Sequence, residues 1–442
     1  MAAESCHSRS LSWLARSCIP ADPARHVAVP VPIPADPGRH IAVPLPIPAA
    51  STNLSSTHPA SDSAEESPIS ALPDDLLLEC LARVPRASLP PLPAVCRRFA
   101  SLLASDAFLH LRRAHGLLRP TLVAVSVPSQ GSTFARALIQ FDASSPEAET
   151  AVLPLPPTLL HCRGSSSAFA HARAVAVGRE VFLIGRGATL RVDALTGAAR
   201  ACAATLFPRK KFAAAAVGGR IYVAGGSART AAVEEYDPAA DAWRVVAEAP
   251  RRRYGCAGAA TAGGVFYVAG GVAVSAPGGD GGALLEARAC AGSVDALQVA
   301  SSSGTTAWAR PRAMPGGGCV VGACGAGEHL YVVASHAVEL SFWRWGGNGG
   351  GSRGAGGGWV ALEAPPVPRG SVGLGMAVRV AMTGVGGDRV VAVVNVSAVR
   401  GHIAAVAVEG LVLVYDIAAG KWSRAPDLPP GFRRAACAVV EC

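Results

Sequence analysis

The chain has 442 residues, of which 50% are hydrophobic and 16% charged, and its formal net charge is +9. This length allows two or three domains, and 49 glycines with 34 prolines indicate many turns between short strands. The 12 cysteines form no CxxC pair, which argues against a structural zinc site, and no uninterrupted apolar run reaches the roughly 18 residues of a membrane helix.

The cysteines are scattered along the chain, which is typical of reduced thiols that are buried as small hydrophobic side chains. We therefore expect a reducing compartment and predict a cytoplasmic and/or nuclear protein. The first residues lack the long apolar segment of a secretory signal, and we expect no association with a membrane.

Residues 1–68 are rich in proline and then in serine and threonine. A short motif at Ile19–His26 recurs almost unchanged at Ile33–His40. Closely spaced prolines remove backbone donors and block helix formation, which leaves an extended chain. We predict that residues 1–68 form a disordered tail.

Residues 69–116 have the pattern of a small helical domain. Pro73 suits the first position of a helix, and Asp74 and Asp75 complement the positive end of that helix. Apolar residues then recur at helical spacing in two runs, one before Pro85 and one after Pro93. So short a segment cannot bury both apolar faces by itself, so another surface must cover them.

Residues 120–442 change to a strand-like pattern. Short apolar runs follow turns that carry a glycine, and these glycines recur at intervals of roughly 40 to 60 residues, which is typical of a propeller with four strands in each blade. The turn glycines are Gly178, Gly219, Gly264, Gly327 and Gly387. Gly-rich insertions at 277–282 and 346–358 account for the two longer intervals.

A glycine pair and a spaced tyrosine–tryptophan pair mark the same register. The glycines allow close approach of neighbouring blades, and the aromatic rings fill the wedge between them. The positions assigned to this structural role are Gly225, Gly226, Tyr236, Trp243, Gly270, Gly271, Tyr415 and Trp422.

Five repeats are countable, and the remaining strands predict a sixth blade. Residues 121–127, 137–142 and 149–153 provide three strands without an innermost one, and residues 435–440 provide one strand without a blade. Pairing the two ends closes the ring and removes its open edges. We therefore predict a mostly β protein, a six-bladed propeller over 120–442 behind a small all-α domain over 69–116.

The repeats resemble the kelch repeat, with a strand that ends in Gly-Gly followed by a tyrosine and a spaced tryptophan. The helical segment resembles the F-box. It departs from that motif at Phe99, where the family usually has tryptophan, and at Pro90–Pro93, where a short middle helix is expected. The positions that match, and that the resemblance assigns to adaptor binding, are Leu72, Pro73, Leu76, Leu77, Cys80, Leu81, Val84, Pro85, Val95, Cys96 and Phe99.

This order of domains resembles the plant F-box/kelch-repeat proteins, which are substrate receptors of SCF-type ubiquitin ligases. The resemblance implies a Skp-type adaptor and a cullin-based ligase as partners, with a protein target held by the propeller for ubiquitination. A kelch scaffold that binds partners without ubiquitination is the alternative. A copper-radical oxidase is a remote third interpretation, since some kelch propellers are copper oxidases.

The oxidase interpretation needs clustered histidine, tyrosine and cysteine ligands. The propeller region offers only scattered histidines, namely His161, His171, His329, His336 and His402. No GxSxG, HExxH or phosphate-loop spacing occurs either. We therefore predict a non-catalytic chain with no catalytic residue, no cofactor and no metal site.

Basic residues gather where one predicted blade passes to the next. In a propeller these crossings lie on one face, so we predict a basic ring around the axis that binds an acidic or phosphorylated target. Nucleic acid is disfavoured, because no aromatic residues interleave with the charges. The residues assigned to this target-binding face are Arg186, Arg209, Lys210, Arg229, Arg251, Arg252, Arg253, Arg312, Arg369, Arg400 and Arg433. Arginines in such crossings also pack between blades, and the sequence leaves both roles open.

Overall fold

The computed structural model describes thirteen stretches of the chain. They are residues 69, 71–128, 131–141, 148–161, 168–274, 290–299, 307–310, 313–336, 338–346, 358–373, 376–398, 408–432 and 434–442. The predicted disordered tail, residues 1–68, lies outside them. Within these stretches no helix has the length and apolar character needed to cross a bilayer, and every cysteine is a free thiol.

The helical domain contains three α-helices, α1 (Asp74–Ala82), α2 (Arg97–Ala104) and α3 (Asp106–Ala114). The Ser105 hydroxyl caps α3 by accepting the Phe108 backbone N–H at 3.2 Å. The proline-rich stretch between α1 and α2 forms two 3₁₀ turns, Arg86–Ser88 and Leu92–Ala94, instead of an α-helix. Proline lacks a backbone N–H, which explains why only short turns form there.

The buried side chain of Arg112 ties the helices together. Its Nη1 donates to the carbonyl of Ala82, the last residue of α1, at 3.1 Å and to the carbonyl of Val84, two residues beyond it, at 2.8 Å. A helix end leaves carbonyl groups without partners, so α3 satisfies the last carbonyl of α1. The Arg112 side chain therefore fixes α3 against the end of α1.

Residues 120–442 form six four-stranded antiparallel blades around an axis, as predicted. Blade 1 joins β26 (Ala436–Glu441) to β1 (Pro120–Ser126), β2 (Thr133–Gln140) and β3 (Glu149–Pro154). A short helix, α4 (Pro157–His161), follows it. Blades 2 and 3 contain β4 (Arg173–Val177), β5 (Glu180–Ile184), β6 (Thr189–Asp193), β7 (Ala199–Cys202), β8 (Ala213–Val217), β9 (Arg220–Ala224), β10 (Ala232–Asp237) and β11 (Ala242–Glu248).

The other three blades continue this order. Blade 4 contains β13 (Ala257–Thr261), β14 (Val265–Ala269), β16 (Val294–Gln298) and β17 (Ala307–Ala309), with a two-stranded ribbon of β12 (Arg253–Tyr254) and β15 (Val272–Ala273) beside it. Blades 5 and 6 contain β18 (Cys319–Ala326), β19 (His329–Ser335), β20 (Leu340–Gly346), β21 (Trp359–Leu362), β22 (Met376–Val385), β23 (Arg389–Ala398), β24 (Val408–Asp416) and β25 (Lys421–Arg424).

The last strand closes the ring. Strand β26 is the innermost strand of blade 1 and pairs antiparallel with β1, with Leu122 opposite Val439 and Ala124 opposite Cys437. The prediction that the two ends of the chain share a blade is therefore confirmed. Strand β2 begins at Thr133, four residues before the predicted start.

Aromatic side chains fill the space between blades. Tyr236 and Trp243 lie opposite each other on β10 and β11, with ring centroids 4.9 Å apart. The Tyr236 ring also lies 5.7 Å from that of Phe182 in blade 2, in an edge-to-face arrangement. In blade 6, Tyr415 and Trp422 form the same pair with ring centroids 5.1 Å apart, and both rings lie 5.0 Å from that of Phe342 in blade 5.

The helical domain packs on the face of the ring where the innermost strands end. Arg86 forms an ion pair with Glu149 at 3.0 Å, and Arg113 forms one with Glu441 at 3.0 Å. From the turn between β4 and β5, Arg179 donates to the Leu103 carbonyl at 2.6 Å. Buried residues of the helices and of blades 1 and 2 belong to one hydrophobic cluster. The propeller thus covers one of the apolar faces that the helical segment could not bury alone.

Candidate functional site

A cavity of about 860 Å³ lies on the axis of the ring, at the end where the innermost strands begin. Small residues of those strands form most of its wall, among them Ala174, Ala214, Gly258 and Ala377. Side chains this small leave room on the axis. The cavity therefore opens on the face opposite the helical domain.

Four cationic side chains line this cavity, and none of its described lining residues is acidic. They are Arg173, Lys211, Arg379 and Arg434. Arg173 and Arg379 lie on the innermost strands β4 and β22, whereas Lys211 and Arg434 lie in the crossings that lead into β8 and β26. The innermost strands of the six blades meet around the axis, so these separate segments of the chain lie together at the opening of the cavity.

Arg173 is the most firmly held of these side chains. Its Nε donates to the Phe212 carbonyl at 2.8 Å, and its Nη2 donates to the Cys256 carbonyl at 2.9 Å. One side chain of blade 2 therefore reaches the starts of the innermost strands of blades 3 and 4. Burial lowers the pKa of the Arg173 guanidinium, but arginine stays protonated at neutral pH.

His171 lies at this mouth, where burial and four cationic neighbours disfavour its protonated form. Burial, which has the largest effect, and the charges of Arg379, Lys210, Lys211 and Arg173 together lower the pKa of its imidazole to about 4. The imidazole is therefore neutral at pH 7. Its Nδ1 atom is buried and has no hydrogen-bond partner among the described residues.

The structure corrects the prediction for Arg209 and Arg253, which were assigned to the target-binding face. Both guanidinium groups are buried inside their own blades. Arg209 pairs with Glu234 at 2.6 Å, with both side chains fully buried, and Arg253 pairs with Asp295 at 2.5 Å. Each arginine thus fills the packing role that the sequence left open, and neither can contact a partner.

The other predicted arginines and the lysine divide by exposure. Arg186, Lys210, Arg229 and Arg369 are exposed, and Arg251 and Arg252 are half-buried in the crossing between blades 3 and 4. The remaining three, Arg312, Arg400 and Arg433, lie outside the described residues. None of the exposed four is among the residues that line the cavity.

Sequence reasoning missed Arg173 and Arg379, which line the cavity. Both belong to innermost strands, where a charged side chain is unusual because those strands face the axis. The sequence does show an arginine at the start of the otherwise apolar run Arg173–Val177. The role of that arginine can be interpreted only when the structure shows that the start of this strand forms the mouth of the cavity.

The second candidate surface lies on the helical domain. Four apolar side chains are exposed there, with Ile69 51%, Leu72 36%, Leu76 53% and Val95 64% accessible. Arg98 holds this surface together through an ion pair with Asp74 at 2.6 Å. Exposed apolar patches of this kind mark interaction sites.

Of the residues assigned to adaptor binding, Leu77 and Leu81 need a correction. They are 4% and 5% accessible and pack in the hydrophobic cluster that joins the helices to blades 1 and 2. They support the surface and do not form it. The other assigned positions are exposed or half-buried, namely Leu72, Pro73, Leu76, Cys80, Val84, Pro85, Val95, Cys96 and Phe99.

No group of three potential metal ligands comes together within the described ranges. His336 instead shares a hydrogen bond of 2.7 Å with the Ser341 hydroxyl. His329 begins β19, with its Nδ1 buried. His402 lies outside the described residues.

Two protein families match this chain. The F-box domain matches residues 69–111, and the Kelch motif matches residues 208–250. The chain is 42% identical to F-box/kelch-repeat protein At5g26960 of Arabidopsis thaliana, over 99% of both chains. It is 27% identical to F-box/kelch-repeat protein At1g67480 of the same plant, over 46% of this chain and 54% of the relative. A local match of 53% identity to Putative F-box protein At1g77880 covers 12% of this chain and 41% of that relative.

Proposed function

This chain belongs to the F-box/kelch-repeat family, and from that premise we propose that it is the substrate-recognition subunit of an SCF-type ubiquitin ligase. The helical domain docks a Skp-type adaptor, which links it to a cullin-based ligase. The propeller binds a target protein. A separate enzyme of the assembly transfers ubiquitin, so this chain contributes position and no catalytic residue. We place the complex in the cytoplasm and/or the nucleus.

One observation carries this proposal: the two candidate surfaces lie at opposite ends of a single packed body. The exposed apolar patch belongs to helices that contact the ring where its innermost strands end. The cationic cavity opens where those strands begin. A receptor needs such a separation, because the adaptor and the target must be bound at the same time.

Adaptor docking is tested by placing charges on the apolar patch. We expect Leu76→Asp combined with Val95→Asp to weaken binding of a purified Skp-type adaptor at least about tenfold, because both carboxylates would be buried without partners. Both native side chains are more than half exposed, so the fold should tolerate the change. Titration calorimetry with the full chain measures the effect.

Val152→Asp is the matched control, since Val152 is 71% exposed on the outer strand of blade 1. Its adaptor affinity should equal that of the unmodified chain. Equal affinity of the double variant would contradict docking through this patch. Absence of adaptor binding by the unmodified chain would favour the alternative, a kelch scaffold without ubiquitination, in which the prolines at 90–93 have abolished docking.

A further inference from the structure

We propose that Lys210 is the site at which this chain itself accepts ubiquitin, through an isopeptide bond to its side-chain amine. The inference rests on the proposed function, because the ligase that the chain joins provides the activated ubiquitin. It assigns a covalent modification to one exposed side chain of the propeller.

The first argument is the scarcity of lysine. The 442 residues include 40 lysines and arginines, of which only Lys210, Lys211 and Lys421 are lysines. An arginine guanidinium stays protonated and cannot act as the nucleophile, whereas a lysine amine can lose its proton and do so. The positive charge of this chain therefore lies almost entirely on side chains that cannot receive ubiquitin.

The chemistry of the transfer requires an accessible, neutral amine. The Nζ atom attacks the carbonyl carbon of the ubiquitin C-terminus, which the transferring enzyme of the assembly holds as a thioester. The C–N bond forms as the C–S bond breaks, and the enzyme recovers its cysteine thiol with the proton that leaves Nζ. Each of the three lysines can therefore be compared by its exposure and by its place on the ring.

The ring has two faces, and the ligase must deliver ubiquitin on one of them. A target held at the mouth of the axial cavity presents its lysines on that face, so the transferring enzyme has to reach it. Lys210 lies in the crossing into β8, on the same face, and is exposed. When no target covers this face, an enzyme placed to serve a target lysine can therefore reach Lys210.

Lys421 is also exposed, but it lies on the opposite face. It begins β25, the outermost strand of blade 6. The strands of a blade alternate in direction, so β25 begins where the innermost strand β22 ends, on the face that carries the helical domain. The Ile417 backbone N–H, in the turn before β25, donates to the Asp388 carbonyl, in the turn after β22, at 2.9 Å. Lys421 is therefore far from the side on which target lysines are presented.

Lys211 is adjacent to Lys210 in the chain but is held in the wall of the cavity. It is half-buried, and its Nζ lies 5.5 Å from the centroid of the Tyr254 ring. An aromatic face stabilises the charged form of an amine above it, whereas the attack on the thioester needs the neutral form. Of the three lysines, Lys210 alone combines exposure with a place on the target face.

The backbone at Lys210 is anchored on both sides of the blade. The preceding side chain, Arg209, is fully buried in its ion pair with Glu234, and the Lys210 backbone N–H donates to the Gly226 carbonyl at 2.9 Å. The lysine side chain itself is a flexible four-carbon stem. The amine is therefore presented from a fixed point and still has the freedom to reach the thioester.

The test uses the full chain assembled with a Skp-type adaptor, a cullin-based ligase and the enzymes that charge ubiquitin, without a target. Ubiquitin whose lysines are all replaced by arginine restricts each acceptor to one attachment. Lys210→Arg keeps the positive charge and should lower the rate of attachment to the chain at least about tenfold. Lys421→Arg is the matched control, since it removes the exposed lysine of the opposite face, and its rate should stay within about twofold of that of the unmodified chain.

Mass spectrometry of the tryptic peptides locates the isopeptide bond, which we expect on Lys210. A bond found mainly on Lys211 or Lys421 would overturn the proposal. Attachment that persists when all three lysines are replaced by arginine would also overturn it, because another group would then be the acceptor.

Acetylation of the chain by an amine-reactive ester gives a readout that needs no ligase. The Lys210 amine should react at least about threefold faster than that of Lys211, and a Lys210 amine that reacts no faster would overturn the proposal. Assembly is measured separately by size-exclusion chromatography. A chain that assembles but carries no ubiquitin on Lys210 contradicts this inference alone, whereas a chain that does not assemble contradicts the proposed function and this inference with it.

Discussion

Replacing Arg253 by methionine is expected to lower the free energy of unfolding by about 3–5 kcal/mol. The Arg253 side chain is 1% exposed and its partner Asp295 is 3% exposed. Arg253 also donates to the Gly270 carbonyl at 2.9 Å and to the Ser293 carbonyl at 3.1 Å. Methionine fills much of the volume, but the Gly270 carbonyl loses the Arg253 donor and the Asp295 carboxylate keeps only its longer ion pair with Arg310 at 3.6 Å. The Ser293 carbonyl still accepts the Gly270 backbone N–H at 2.8 Å.

Urea unfolding of the purified chain measures this change, and two further variants identify its cause. Arg252→Met alters the adjacent arginine, which makes one surface contact to the Ala228 carbonyl at 3.3 Å, so the change should stay below about 1 kcal/mol. Arg253→Met with Asp295→Leu removes both charges and should recover much of the loss. A single variant as stable as the unmodified chain would show that Arg253 is not a structural residue.

Replacing Gly325 by alanine is expected to destabilise the ring by about 3 kcal/mol. A Cβ atom at this position would lie 1.7 Å from the Ala260 carbonyl oxygen of the neighbouring blade. The same crowding occurs at Gly258, where a Cβ would lie 2.3 Å from the Ala214 backbone, and at Gly384, where it would lie 2.0 Å from the Gly325 carbonyl. The innermost strands of blades 3 to 6 therefore touch through their backbones, and one methyl group would force them apart.

Thermal unfolding of Gly325→Ala measures the effect, and Gly373→Ala is the matched control. A Cβ at Gly373 would meet nothing within 4 Å, and its φ lies outside the positive range, so we expect a change within about 0.5 kcal/mol. Equal melting temperatures for the two variants would contradict the close approach of the blades.

The number of blades and the closure of the ring were predictable from the sequence. The turn glycines and the Tyr–Trp pairs fix the repeat. Three strands without an innermost one before the repeats, and one strand without a blade after them, then leave a single way to complete the ring. Such markers are local, since a turn needs its glycine regardless of what packs nearby.

Whether a crossing arginine is buried inside its blade or exposed was not predictable from such local markers. Arg209 and Lys210 are neighbours, yet Arg209 is buried against Glu234 and Lys210 is exposed. The deciding residue lies on the third strand of the blade, far along the chain. A crossing arginine with an acid at that position, as for Arg253 with Asp295, is the signal that separates packing from binding.

The docking of the helices on the ring also depends on distant residues. Leu77 and Leu81 identify an apolar helix face, but the sequence does not say what covers it. The structure shows that blades 1 and 2 do so, with Arg179 and Arg86 adding polar contacts. The helical domain is therefore part of the same folded body as the propeller.

We propose that this chain docks a Skp-type adaptor and, through it, a cullin-based ligase, and assembly with these purified partners tests the proposal most directly. The full chain is mixed with a Skp-type adaptor and a cullin, and the mixture is separated by size-exclusion chromatography with light scattering. We predict one particle that contains a single copy of each protein. Elution of the chain by itself, with the adaptor and cullin in a separate peak, would contradict the account.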